Sequence, residues 1–188
     1  MAFLRGVNVG GKGIVSMAAI KEALVALGLA DVRTYLNSGN VIFSTRASAA
    51  QQLAGRIEKA LEQQTGMAIK VLVMSQKTLQ ELVDSIPRKS VDDQTMRTYV
   101  LLLWKEVDDR AVLDRLPINP GVEELKYTPG AVIWRVDRSD LRRSRMSRIV
   151  GTRLYAKMTI RSVNTVRKLN ELLVGAASAK SRLSKTPS

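Results

Sequence analysis

The sequence predicts an α+β protein: two duplicated ferredoxin-like (β-α-β-β-α-β) halves with antiparallel sheets and a C-terminal helix. Three observations carry this. Segments with apolar residues at helical spacing alternate with runs rich in β-branched residues. Two pairs of those runs flank turn signatures, "NSGN" at 37–40 and "TPG" at 128–130. The order of elements in the first half is echoed, in degenerate form, in the second.

"AFLRGVNV" reads as a strand entering a glycine loop. Ser16 caps a helix whose apolar positions Ile20, Ala23, Leu24 and Leu27 share one face, and Gly28 stops it. "VRTYLNSGNVIFST" is a hairpin. Ser48 and Gln51 form a capping box for a second helix with the stripe Leu53, Ile57 and Leu61, ended by Gly66. A strand follows in "AIKVLVM". Ser75 to Ile86 is a connecting helix with Leu79, Leu82, Val83 and Ile86 on one side, closed by Pro87. "RKSVDDQ" reads as an exposed linker. "TYVLLLW" is a buried strand at the centre of the second sheet, "DDRAVLDRL" a helix with carboxylates at its start, and "VEELKY" with "AVIWRV" a second hairpin. "SVNTVRKLNELL" is the last helix, with the stripe Val163, Val166, Leu169 and Leu173. The expected division is residues 1–86 for the first half with its connecting helix, 87–174 for the second, and 175–188 for a flexible basic tail of small polar residues.

The chain of 188 residues contains no cysteine and no histidine. That excludes disulfides, thiolate nucleophiles, imidazole or thiolate zinc sites and every Ser-His or Cys-His pair. Proton transfer would fall to Asp, Glu, Lys or Tyr, and no carboxylate stands out as a base. Glu22, Glu58 and Glu62 read as exposed helix charges, and Asp108 and Asp109 as capping residues. No pattern implies a cofactor or a metal. No charged stretch followed by an apolar run opens the sequence, and the longest unbroken apolar run, "YVLLLW", is too short for a bilayer. The expectation is a cytoplasmic protein without a membrane partner. The net charge of +13 is regional, because residues 138–188 carry 13 of the 30 Lys and Arg but only 2 of the 17 Asp and Glu.

Residues 6–13, "GVNVGGKG", come within one residue of a nucleotide-binding loop. Gly13 stands where the metal-binding Ser or Thr would be, Ile14 and Val15 separate Lys12 from the helix cap, and hairpins replace the parallel β-α units that such a loop requires. The near-match is a coincidence of glycines. The loop can still bind an anion through backbone N–H groups assisted by Arg5 and Lys12, or serve only as a tight turn. "NSGN" divides similarly between turn chemistry and a polar site offered by Ser38 and Asn40.

Taken together, "FLRGVNVGGKGIVSMAAIKEALVALGLADVRTYLNSGNVIFST" resembles the opening of the family of unknown function numbered 1697. That family carries a pattern like LLRGINVGG, then V-x-M, then V-x-TY-x-x-SGN. Arg5, Gly6, Asn8, Gly10, Gly11, Val15, Met17, Thr34, Tyr35, Ser38, Gly39 and Asn40 fit it. "TIRSVNTVRKL" is similar to the family's T-x-RNWNTV segment in Thr159, Arg161, Asn164, Thr165 and Val166, with Ser162 and Val163 in place of Asn and Trp. The resemblance implies bacterial α+β proteins of two ferredoxin-like halves and brings no established activity.

Three functions fit these patterns. The first is a basic cleft for a phosphate- or carboxylate-bearing ligand, with Arg5, Lys12 and Arg161 holding the anion and Asn8, Gly10, Gly11, Ser38, Asn40, Asn164 and Thr165 orienting it. The second is electrostatic, largely sequence-independent nucleic-acid binding through Arg142, Arg143, Arg145, Arg148, Arg153 and Lys157, supplemented by Arg138, Arg161, Arg167 and Lys168. No aromatic RNA-binding signature supports it, Phe43 being a lone candidate. The third is an interaction module without catalysis.

Overall fold

Positive backbone φ angles set the limits of the first elements. The computed structural model describes residues 1–8, 14–46 and 49–183. β1 covers Ala2–Leu4, shorter than "AFLRGVNV", because Gly6 and Asn8 turn to φ of 70° and 56° and leave the extended region. α1 spans Met17–Ala26 with the Ser16 hydroxyl accepting from Ala18 N at 3.2 Å, and Gly28 ends it at φ 86°. β2 (Ala30–Tyr35) and β3 (Asn40–Ser44) form the expected hairpin. α2 spans Ala50–Thr65 and stops at Gly66, in left-handed conformation. Its N-cap is Ala49, which makes no side-chain capping bond; the expected cap Ser48 lies outside the described residues. β4 (Val71–Val73) follows.

Two compact units result, Met1–Gln76 and Lys77–Ser188. In the first, the strand order is β2-β3-β1-β4 with every neighbouring pair antiparallel. The helix stripes read from the sequence bury as expected: Ile20, Ala23 and Leu24 from α1 meet Leu53, Ile57 and Leu61 from α2 over Ala2, Leu4, Val41, Phe43 and Val71. Glu58 differs from the exposed charge expected of it. Its carboxylate accepts from Val71 N at 3.0 Å and from Lys70 Nζ at 2.7 Å, so it ties α2 to the edge strand β4.

The second unit repeats this topology. α3 (Gln76–Ser85) precedes β5 (Met96–Leu103), β6 (Glu123–Thr128), β7 (Ala131–Asp137) and β8 (Met158–Ser162), and the sheet order is β6-β7-β5-β8, again antiparallel throughout. β5 is central, as its unbroken apolar run predicts. Three features depart from the sequence reading. The segment "DDRAVLDRL" is a 3-10 helix over Arg110–Arg115, not an α-helix; Asp109 caps it at Ala111 N and Pro117 follows within two residues. β8 adds a strand to the sequence reading: Met158-Thr159-Ile160-Arg161 alternates apolar and polar residues, but over five residues the pattern is too short to stand out beside the helical stripe that follows. It runs without a loop into α4 (Val163–Leu183). Finally, α4 continues through residues 175–183, where a flexible tail was expected. Alanines at 176, 177 and 179 are strong helix formers, and small size alone does not signal disorder. The tail residues 184–188 lie outside the described residues.

Alternation along β5 and β7 gives the second sheet two faces. Tyr99, Leu101 and Leu103 lie with Val132 and Trp134 on one face, under 3-10 turns at 105–115 and 138–157. Asp109 alone caps the 3-10 helix with its side chain, and Asp108, expected to cap it too, is used elsewhere. The Asp108 carboxylate accepts from Tyr127 Oη at 3.1 Å and Gly130 N at 2.8 Å, clamping the "TPG" turn.

Candidate functional site

In the first unit, the sequence-derived site residues Asn8, Ser38 and Asn40 take part in structural hydrogen bonds. Asn8 Oδ1 accepts from Val15 N at 2.8 Å, while Nδ2 donates to Val15 O at 3.1 Å and to Asn37 O at 2.9 Å. Both sides of the amide are therefore used to close the glycine loop and to tie it to the β2–β3 turn. Gly10, Gly11 and Lys12 lie outside the described residues. Asn40 is fully buried and donates to Tyr35 O and to the Ser38 hydroxyl, each at 3.0 Å. Arg5 is half-buried and its backbone N–H pairs with Lys70 O at 2.8 Å. The polar turn is thus held together largely by its own amides.

In the second unit, Arg161 is buried on β8. Its Nη1 donates to Thr159 Oγ1 at 2.9 Å and to Ile160 O at 2.8 Å, and burial pushes the guanidinium down to about 10. Asn164 donates to Asp92 O at 2.8 Å, and Thr165 exchanges hydrogen bonds with the Ser162 hydroxyl at the start of α4. These residues stitch β8, the helix start and the 92–93 loop together.

The arginine-rich stretch behaves differently. Residues 138–157 fold as successive 3-10 turns over the Tyr99 face of the sheet. Glu123 on β6 fixes the stretch in place: one carboxylate oxygen accepts from Arg145 N at 2.5 Å and the other from Asn119 N at 2.6 Å. Asn119 in turn donates to Arg143 O at 3.0 Å. Between stretch and sheet lies a cleft of about 350 Å³. Its floor is Tyr99, Val136 and Ile160 from β5, β7 and β8. Its wall includes Leu141, Met146, Ile149 and Val150 together with the hydroxyl-bearing Ser144, Ser147 and Tyr155.

Arg142, Arg143, Arg145, Arg148, Arg153 and Lys157 are all exposed. Arg143 pairs with Asp140 at 2.8 Å and Lys157 with Glu106 at 3.5 Å. Arg142, Arg148 and Arg153 have no ion-pair partner among the described residues. At the β5–β7 end of the same face, Asp92 accepts from Arg138 Nη2 at 3.0 Å and lies 3.5 Å from Arg97 Nη1. Sequence reading pointed to the cations but missed the cleft, since Tyr99, Ile160 and Met146 are far apart in the chain and each reads singly as core. Among the described residues no cluster of acidic side chains could hold a metal, and no helix is long and apolar enough to cross a membrane.

Comparison with known proteins agrees with this architecture. A conserved bacterial protein of Streptococcus pneumoniae, SP0830, superposes with a TM-score of 0.76 over 92% of this chain and 96% of its own, at 24% identity. The likeness is one of fold. No curated protein matches the chain. The sequence profile of one family matches residues 1–134, the whole first unit and the second through β7's Trp134, including every motif residue from Arg5 to Asn40. On that match the chain belongs to the family described as protein of unknown function, DUF1697.

Proposed function

We propose that this protein binds a small organic anion, and that the site is the cleft of the second unit. The observation that carries the reading is the pairing of an apolar, hydroxyl-edged hollow with a wall segment whose arginines project to solvent. Concave sites with apolar walls and a few polar groups are where small ligands bind, and about 350 Å³ falls within their usual range. The first unit's amides are committed to the backbone, which favours the cleft over the glycine loop as the site. Titration with the fluorescent anion 8-anilinonaphthalene-1-sulfonate tests this. Saturable binding near one equivalent is expected, with roughly tenfold loss in Val150→Glu, which places a like charge at an exposed position on the cleft wall. Binding without saturation, or unaffected by that substitution, overturns the reading.

A second reading is electrostatic nucleic-acid binding, favoured by Arg142, Arg148 and Arg153, which lie on one exposed stretch and have no ion-pair partner among the described residues. Fluorescence polarisation with a single-stranded oligonucleotide across a salt series tests it. Three phosphate contacts correspond to a log–log slope of about −2. No binding at low salt ends this reading.

A further inference from the structure

The anionic-ligand reading rests on the cleft as a whole; its details narrow the ligand. We propose that Arg97 anchors the ligand's anionic group and that the body filling the cleft is a heteroaromatic ring, the chemistry of a nucleoside monophosphate.

Arg97 is two residues from Tyr99 on β5, so both side chains leave the same face of the sheet. Its cross-strand partner on β7 is Val136, which lines the cleft floor beside Tyr99. The guanidinium carbon is 5.0 Å from the Tyr99 ring centroid, and Nε donates to Tyr99 Oη at 2.9 Å. A fixed cation thereby stands beside the floor residues Tyr99 and Val136, next to the cleft lining and not within it. Its charge is only partly answered: Asp92 is shared with Arg138, which holds it at 3.0 Å while Arg97 Nη1 lies 3.5 Å away. Arg138 also has the Asp93 carboxylate near it, whereas Arg97 has Asp92 alone among the described residues, at 3.5 Å, and its side chain is 33% exposed. A planar fork with donors to spare suits a phosphate or carboxylate.

The rest of the cleft selects the body. Tyr99, Tyr155 and Met146 supply flat or polarisable surfaces that favour a ring. The hydroxyl-bearing residues Ser144 and Ser147 line the wall, and the Ser144 hydroxyl, which accepts from Met146 N at 3.2 Å, keeps its own proton to donate to a ring edge bearing nitrogen or oxygen. A purely aliphatic body would cover these groups and offer them nothing. The volume, about 350 Å³, is at the lower end for small-molecule sites and suits one ring system.

The test is displacement of bound 8-anilinonaphthalene-1-sulfonate from the full chain by AMP, adenosine, inorganic phosphate and laurate. AMP is expected to displace it at concentrations about tenfold or more below those of adenosine or phosphate alone. Arg97→Gln should bring AMP to the level of adenosine while adenosine itself is unchanged. Tyr155→Leu, which keeps an apolar wall, should weaken AMP and adenosine together; this second variant decides the matter if Arg97→Gln proves poorly folded by circular dichroism. If the fluorophore binds but only laurate displaces it, or if AMP is no better than adenosine, the assignment of ring and anchor is overturned and the cleft stands. If the fluorophore does not bind, the cleft falls and the assignment with it.

Discussion

Asn8 pairs with Val15 as a strand would: its amide oxygen takes the Val15 N–H at 2.8 Å and its amide nitrogen gives to the Val15 carbonyl at 3.1 Å. One side chain thus closes the loop that begins with Gly6 and ends before α1, and its third bond, to Asn37 O, joins the loop to the neighbouring turn. At Asn8, the motif's side-chain amide is a clasp on the backbone.

Asn8→Ala is expected to destabilise the protein by about 2–3 kcal/mol, through lost hydrogen bonds and the strain of alanine at positive φ. Asn8→Gly removes the same bonds without that strain and should cost about 1 kcal/mol less. Urea denaturation of both variants measures the difference. Equal losses would show that the backbone angle does not matter there.

Gly39 is the second fixed point of that end of the sheet. Its carbonyl accepts from Leu4 N at 2.7 Å, and a Cβ at Gly39 would stand 2.7 Å from Leu4 Cβ and 3.2 Å from Leu4 O. Gly28 has a comparable positive φ, 86° against 72°, but nothing within 4 Å of an added Cβ. Alanine at either position carries the dihedral strain of about 1–3 kcal/mol, and at Gly39 the overlap adds roughly 1–3 kcal/mol. Thermal melts should therefore rank Gly39→Ala well below Gly28→Ala. The reverse order would remove the close approach as the reason for glycine.

These two residues also explain what sequence could and could not disclose. The stripes Ile20–Leu24 and Leu53–Leu61 were legible because burying one face of a helix writes a period into the chain, and Gly28 and Gly66 were legible as stops because left-handed backbone favours glycine. The strand β8 was not, since its alternation, Met158-Thr159-Ile160-Arg161, spans a single five-residue strand and its polar members Thr159 and Arg161 are buried, bonded to each other, where solvent-facing residues are the usual signal. Asn8 and Asn40 looked like ligand-binding amides for the same reason that they serve the backbone: an amide offers a donor and an acceptor to whatever faces it. The cleft depends on a fold-back of residues 138–157, held by the distant Glu123, and no local pattern announces such a contact.

Acid should weaken the second unit first through carboxylates whose charged form is stabilised there. Glu124 is held below its ordinary value of 4.5 by the Lys89 ammonium at 2.9 Å and the Arg135 guanidinium at 2.6 Å. Asp93 is held below 3.8 by the backbone N–H groups of Met96 and Thr95 and by the Thr95 hydroxyl. A carboxylate with a folded-state value below its unfolded one is protonated more readily when unfolded, so its contribution is present at neutral pH and is lost on acidification. The urea midpoint should fall steadily from about pH 5 downward, and Glu124→Gln should flatten part of that fall. A variant with the wild-type slope would mean that the pairs with Lys89 and Arg135 do not survive in solution.

Glu123 links stability to the proposed function. Its buried carboxylate takes the N–H of Asn119 at one oxygen and that of Arg145 at the other. Glutamine offers one oxygen and one NH₂, so one of the two N–H groups must face a donor. Glu123→Gln is therefore expected to cost about 1–3 kcal/mol. The larger effect should be local. Released from Arg145, the wall of the cleft opens more often, and the backbone at the already exposed arginines 142, 143, 145 and 148 can extend into the active site of trypsin more readily. Limited proteolysis should cut the variant there several times faster than the wild type, with mass spectrometry locating the cuts, while the bound fluorescent anion should slow cutting in both. Unchanged cleavage rates would mean that the segment is pinned by its apolar contacts alone, with Met146, Ile149 and Leu154 on the sheet sufficient to keep the cleft walled.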